Sequence, residues 1–459
     1  MLLRYFILSS LDRSTGQSFK TIPTQAEWAH FQEYARRIRT LNVNPSQDPL
    51  PPDVLLTLQH RTLNTPLLPG LEAFVCREAT AEFTPFIPLF LSPRTAIIDI
   101  VFVRTTPETP ALMVASMITT FPALCPNLVE IALHRLPTDR AVFSAVSDVL
   151  LACNRNTLQR FEVDSPLTSA AREVLCQSSN LRKLRSIVLG DVFQPPFVLP
   201  NLVKMEIVYT HGHEWLRNVD GTMLNKLTSV SFYPLSPQVG NLLEAFEAFA
   251  VATSISTKLS TFKIYSKHPW DPNYSSLLGF KQLTELLVLI ACRDSCSSTV
   301  NDDIITGLAR AMPKLKILQL GQGPCETPTG VTAKGLVELA CHCNDLSILR
   351  VHIRVDSLVQ AAIGDATTSP SNAEPTVSRA ECALTTLEVG NMTIPVGSAL
   401  TVALALLHIF PRISNIKYMN SRWEDVQNTI KLSNQLFNRI GALARSSSEV
   451  HPQHPETTC

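Results

Sequence analysis

The chain has 459 residues, 45% hydrophobic and 17% charged. That balance excludes a solvated, disordered polymer. Lys plus Arg and Asp plus Glu are both 39, a formal net charge of zero, so the basic excess of a duplex-binding or anionic-membrane surface is absent.

The N-terminal string MLLRYFILSSLDRS is apolar but short, Arg4 interrupts it, and no small-residue cleavage site follows. It reads as neither a signal peptide nor a span, and no later run is long enough to cross a membrane. A short motif then recurs. Its clearest copy is CPNLVEIALH, with apolar residues at Leu128, Ile131 and Leu133. The same phase appears at Leu158/Phe161/Val163, Leu184/Ile187/Leu189, Leu202/Met205/Ile207, Leu227/Val230/Phe232 and Leu259/Phe262/Ile264. It continues at Leu283/Leu286/Val288, Leu315/Leu318/Leu320, Leu346/Leu349/Val351, Leu384/Leu387/Val389 and Ile413/Ile416/Tyr418. Weaker copies precede it at Ile38/Leu41/Val43, Leu71/Phe74/Cys76 and Ile98/Val101/Val103. One such match means little in a Leu-rich chain; a long ordered series is the signature of a leucine-rich repeat.

Residues two apart on a strand share a face, so the second and third apolar positions of each copy point inward. Helical periodicity fills many intervals: 139–153, 239–253, 302–312, 331–343 and 398–410. Pro126, Pro200, Pro313 and Pro411 each stand two residues before a repeat's first apolar residue, where a helix must end. The interval 190–200 is Pro-rich and reads as extended. The stretch 364–381 is polar without a period and reads as a surface loop. Residues 421–444 read as a helix that caps the last repeat, with Trp423, Val426, Ile430, Phe437 and Ile440 on one side.

Signatures of chemistry are missing. There is no G-x-S-x-G, H-E-x-x-H, G-x-x-x-x-G-K-[ST] or G-x-G-x-x-G string. His211, His213 and Glu214 lack the i, i+4 spacing of a helical metal site and read as a polar loop. Cys292 and Cys296, with Cys341, His342 and Cys343, belong to different repeats, and the cysteines read as core thiols rather than the set as a zinc site. The 11 cysteines are odd in number and several sit in apolar runs, which fits reduced thiols of the cytosol or nucleus.

The irregular helix-containing repeats, the Pro-x-Leu strings and the stretch EWAHFQEYARRIRTLNV (27–43) resemble fungal F-box and leucine-rich-repeat proteins. In that stretch Trp28, Phe31, Tyr34, Ala35, Arg36 and Arg37 are similar to the segment that follows the F-box. The resemblance implies a substrate receptor of a ubiquitin ligase. No Leu-Pro-x-Glu start or Ile-Phe pair precedes Trp28, so a cullin-ligase adaptor is an expected partner only where an F-box lies upstream.

The expected fold is an α/β leucine-rich-repeat horseshoe solenoid, with a parallel sheet on the concave face and helices outside. The expected divisions are an N-terminal cap and post-F-box-like segment (1–44), the solenoid (45–420), a capping helix (421–445) and a disordered tail (446–459). The expected function is a non-catalytic protein-binding scaffold, with no cofactor, metal, nucleic acid or membrane partner, acting as a monomer. The alternatives are a stand-alone binding module and a GTPase-regulating repeat protein. The target is expected on the concave face, where strand positions flanking the inward pair point. The candidate residues are Arg160, Glu162, Lys204, Glu206, Tyr233, Lys263, Tyr265, Leu287, Leu289, Arg350 and His352. Leu287 and Leu289 are expected as exposed apolar neighbours, and Tyr and Arg as anchors.

Overall fold

The computed structural model describes residues 24–62, 65–103, 110–188, 199–209, 226–234, 243, 246–247, 258–267, 272–291, 300–322, 330–364, 382–390, 392–418 and 420–448. The chain divides into two compact units, the first built mainly from residues 1–236 and the second mainly from 259–459. Both are α/β leucine-rich-repeat solenoid. Within each unit the described strands pair in parallel, and those consecutive in sequence are neighbours in the sheet.

The first unit opens with α1 (Gln25–Ala35), started by a capping box: Glu27 N donates to Thr24 Oγ1 (3.3 Å) and Thr24 N to Glu27 Oε2 (2.7 Å). Phe31 and Ala35 are its buried residues. Then come β1 (Thr40–Val43), α2 (Pro52–Arg61), β2 (Ala73–Ala79), α3 (Ile87–Phe90), β3 (Ile97–Phe102), α4 (Ala111–Thr119) and α5 (Phe121–Leu124). They are followed by β4 (Glu130–His134), α6 (Arg140–Ala152), β5 (Arg160–Val163), α7 (Ser169–Cys176), β6 (Lys183–Val188), β7 (Lys204–Tyr209) and β8 (Ser229–Pro234). One core row runs in register across all eight strands: Leu41, Phe74, Ile98, Ile131, Phe161, Leu184, Met205 and Val230. Every member is buried.

The second unit holds β9 (Thr261–Ser266), β10 (Glu285–Ala291), α8 (Asp302–Ala311), β11 (Ile317–Gln322), α9 (Ala333–His342), β12 (Ile348–Arg350), α10 (Val355–Gly364), β13 (Thr386–Gly390), α11 (Ala399–Ile409), β14 (Asn415–Tyr418) and α12 (Arg422–Ser448). Its core row is Phe262, Leu286, Leu318, Leu349, Leu387 and Ile416. Phe246, Phe262 and Phe280 stack at 4.6–6.5 Å beside it. Phe246 and Leu243 are the buried side chains described from the helical stretch expected at 239–253. Pro126, Pro200, Pro313 and Pro411 each open the turn before a strand.

The register corrects two motif assignments. Ile98 and Leu184 stand in the row of Ile131, the second apolar position of the repeat, not the first. The first positions are Thr95 and Leu181, three residues earlier. Thr95 escapes an apolar pattern because it is polar; its Oγ1 donates to Leu71 O (3.2 Å), beside Ser92 Oγ on the same carbonyl (3.1 Å). In β6 the third position is Ser186, which pairs with Ile207. The spacing from Leu181 to Leu202 is 21 residues rather than the 18 counted from Leu184. The stretch 190–200 that follows is described only from Leu199 onward, and 364–381 only at Gly364.

The last helix is a second correction. Trp423, Val426 and Ile430 are fully buried, and Trp423 Nε1 donates to Met392 O at 2.8 Å. Gln427 covers the edge of β14, accepting from Ile416 N and donating to Ser414 O (3.0 Å). Phe437 and Ile440, expected on the capping side, are instead exposed. The reason is reach: Asn434 Nδ2 bonds Ile413 O (2.8 Å), at the residue that leads into β14, and α12 continues to Ser448. Residues 449–459 lie outside the described residues.

Repeats are also tied through their helix starts. Asp302, in the first turn of α8, accepts from Thr332 N (2.8 Å) and from Thr332 Oγ1, the N-cap of α9. This link needs Gly335: a Cβ there would stand 2.5 Å from Asp302 Oδ1 and 2.7 Å from Val331 Cγ1. Helix propensity alone makes Gly→Ala stabilising by about 1 kcal/mol. Gly335→Ala is expected to reverse that sign and destabilise by about 1–2 kcal/mol through overpacking, measured as a lower urea midpoint.

Candidate interaction face

One face of each sheet packs under helices; on the other, positions alternate with the core row. In the first unit that face carries an interlocked set of charges. Arg160 on β5 is the hub. Its Nη2 lies 2.8 Å from Glu162 Oε2 and 3.5 Å from Asp99 Oδ2, and its Nη1 lies 3.5 Å from Glu130 Oε2. Arg77 Nη1 approaches Asp99 from the far side at 3.7 Å. His134 at the end of β4 stands between two carboxylates, 3.8 Å from Glu162 and 3.7 Å from Asp164. Arg135 N donates to Asp164 Oδ2 (3.1 Å).

The set continues along the sheet. Arg185 Nε lies 3.0 Å from Asp164 Oδ1, though its N–H is not aimed at that oxygen. Arg185 Nη1 lies 3.6 Å from Glu206 Oε2, and Lys204 Nζ pairs with Glu206 Oε1. The Arg185 guanidinium sits 5.7 Å from the Tyr233 ring centre, a cation–π contact. Parallel register produces this order: Glu162, Arg185 and Glu206 are direct cross-strand partners, so the charges alternate across adjacent strands.

Burial and pairing oppose each other at the carboxylates. Burial by itself would raise Glu162, but the hydrogen bond and charge of Arg160, with His134 and Lys204, hold it below the usual range. Burial likewise opposes ionisation of Asp164, and bonds from His134 and Arg135 N with the charge of Arg185 outweigh it. The hydrogen bond from Arg160 to Glu162 is the main reason Arg160 holds its proton more tightly.

The second unit carries a sparser face. Lys263 Nζ pairs with Glu285 (2.9 Å). Arg350 (3.6 Å) and Lys417 (2.8 Å) converge on Glu388. Tyr265 is half-buried on β9, in register with Leu289. Leu287 and Leu289 are not the exposed pair expected: they are 9% and 5% exposed. Lys263 and Gln319 flank Leu287 on the adjacent strands, and Tyr265 flanks Leu289, so longer neighbours shield them. His352 lies beyond β12, not on it. Its carbonyl accepts from Val331 N (2.8 Å), and its ring and carbonyl crowd Gly330. Burial lowers its pKa.

Of the expected residues, the fold therefore joins Arg160 with Glu162, and Lys204 and Glu206 with Tyr233 through Arg185. Asp99, Arg77 and Arg185 were missed, Asp99 and Arg185 because of the shifted phases at β3 and β6. A signal existed: Leu181 follows Asn180 as Leu128 follows Asn127 and Leu202 follows Asn201. Those asparagines do one job, each donating its side-chain amide to a carbonyl of an earlier repeat: Asn180 to Asn156 O, Asn201 to Ser179 O (2.8 Å) and Asn127 to Pro93 O (3.4 Å).

Among the described residues the cysteines form no second site. Cys76, Cys125, Cys343 and Cys382 are buried and free. Burial pushes Cys76, Cys125, Cys153 and Cys343 up to about 12, so these thiols stay protonated at neutral pH. Cys343 Sγ points at Ala309 O and Met312 O. Cys292, Cys296, His211, His213 and Glu214 lie outside the described residues. Among the described residues no His, Cys, Asp and Glu group could hold a metal ion, and no helix is long and apolar enough to cross a membrane.

No protein-family model matches the chain, and no curated protein matches it. Among solved structures, the crystal structure of the Rad7 and Elc1 complex in yeast is similar at 13% identity and a TM-score of 0.29, over 85% of this chain and 88% of that one.

The charged face has a measurable signature. Glu162 and Asp164 are held below their ordinary values of 4.5 and 3.8, so they stabilise the fold above that range and lose the contribution as pH falls through the lowered values. The urea midpoint is expected to drop on going from about pH 6 to about pH 3. Arg160→Met is expected to cost about 2 kcal/mol at neutral pH, because Glu162 loses its hydrogen-bond partner, and to flatten the acid limb.

Proposed function

We propose that this chain is a non-catalytic scaffold that binds a protein target on the helix-free face of its sheet. The observation that carries the reading is the charged platform from Asp99 to Tyr233. Its guanidinium and carboxylate groups hold one another in place, so a partner meets side chains that are already ordered. Tyr and Arg anchors supply contact area at small entropic cost. Tyr233 and Arg185 form such an anchor in the first unit, and Tyr265 with Lys263 offers another in the second.

We further propose that the scaffold is the substrate-recognition part of a ubiquitin ligase. Support comes from residues 27–43, which are similar to the segment after an F-box, and from the repeats that follow. In this reading the target is held by the sheet face, and an F-box upstream of Trp28 would engage the cullin adaptor. A repeat module with no ligase link is the reading left if the adaptor never binds.

Two measurements separate these statements. Chain expressed from the complete transcript is expected to co-purify with the cullin adaptor; failure removes the ligase reading and leaves the binding face untouched. Against a target so found, Tyr233→Ala and Tyr265→Ala are each expected to cost about 2 kcal/mol of affinity with the melting curve unchanged. Unaltered affinity in both variants would move the target off this face.

A further inference from the structure

The outward side of α12 is apolar. The helix holds the array with Trp423, Val426 and Ile430. Leu432, Leu436, Phe437 and Ile440 are instead 53% to 66% exposed. Leu432, Leu436 and Ile440 follow at four-residue spacing on one side of the helix, while Phe437, seven residues after Ile430, continues the side of the buried residues further along it. By helical geometry the side of Leu432, Leu436 and Ile440 is turned roughly 110° from the buried one. The adjoining helix α11 adds Leu400 and Leu404, one turn apart and also more than half exposed. The closing element of a repeat array normally turns a polar surface to water, and a contiguous apolar surface of a few hundred Å² marks a contact.

The charges along α12 say which contact. Glu424 and Asp425 stand in its first turn, and Lys431, Arg439 and Arg445 follow with no further acidic residue up to Ser448. Asp425 and Arg439, both exposed, are each seven residues from Leu432, on the same side of the helix and at opposite ends of it. A second copy laid antiparallel across Leu432 therefore sets Asp425 of each copy against Arg439 of the other, with Leu432 and Leu436 of both copies between them. A two-fold contact of this kind is self-complementary. The chain's own last residues are poor cover: EVHPQHPETTC has one aliphatic residue, Val450, and two prolines.

We propose that two copies of this chain associate through antiparallel packing of α12, centred on Leu432 and flanked by reciprocal Asp425–Arg439 pairs. Light scattering on the full-length chain during gel filtration is expected to give twice the single-chain mass, falling to one chain on dilution. Leu432→Glu is expected to weaken the dimer by at least about tenfold, with circular dichroism unchanged and, at dilutions where both are single chains, the same melting temperature because the residue is exposed. Asp425→Arg and Arg439→Asp are each expected to weaken it, and the double exchange to restore it. A single-chain mass at every concentration, or a dimer indifferent to Leu432→Glu, would overturn the proposal. Weakening by both single exchanges without rescue by the double one would overturn the antiparallel register. Binding of single chains to phosphatidylserine vesicles that Leu432→Glu abolishes would assign the face to a lipid surface instead.

Discussion

Each repeat is fixed by a pair of hydrogen bonds at the point where the chain enters a strand. Two consecutive N–H groups donate to one carbonyl of the preceding repeat. Val129 and Glu130 meet Ala96 O, Gln159 and Arg160 meet Val129 O, and Arg182 and Lys183 meet Gln159 O. The second unit repeats the device: Lys316 and Ile317 meet Thr284 O, Ser347 and Ile348 meet Lys316 O, and Thr385 and Thr386 meet Ser347 O. A carbonyl has two lone pairs and can accept both. Hydroxyls of Thr284, Ser347, Thr385 and Ser414 add a third donor to these carbonyls in the second unit. With the entrance pinned, a strand cannot slip by one residue and turn its apolar set outward. The connections are then free to vary in length, because none of them carries the register.

The same constraint makes the charged face. Because register is held strand by strand, Glu162, Arg185 and Glu206 fall side by side, as do Arg350, Glu388 and Lys417. Coulomb attraction between such neighbours offsets part of the desolvation that half-burial imposes. His134 between Glu162 and Asp164 extends the arrangement to the turn after β4. The guanidinium groups of Arg77, Arg160 and Arg185 each already face a carboxylate.

The first and last described helices differ. The first, α1, buries Phe31 and Ala35 and turns polar residues outward, with Thr24 and Glu27 capping its start. In the last, the first half of α12 seals β14 through Trp423 and Gln427, while its second half keeps an apolar side in water. Sealing an edge strand and meeting a partner are separate tasks, and one helix of 27 residues is long enough for both.

The repeat was legible from residues such as Leu128, Ile131 and Leu133, because burial of alternate strand positions imposes a local spacing that any reader of the chain can see. So were α6, α8, α9 and α11, whose periodicity is likewise local. Phase was less secure. Thr95 and Ser186 occupy repeat positions that a search for apolar residues passes over, and Thr95 is tolerated because Leu71 O, 24 residues away, takes its hydroxyl. Exposure was only partly legible. Leu287 and Leu289 are shielded by Lys263, Gln319 and Tyr265, and Phe437 and Ile440 stay in water because α12 extends past the residues that hold it. Periodicity states which residues share a side of one element. Which sides another element covers depends on contacts between residues distant in the chain, and these exist only once the repeats have stacked.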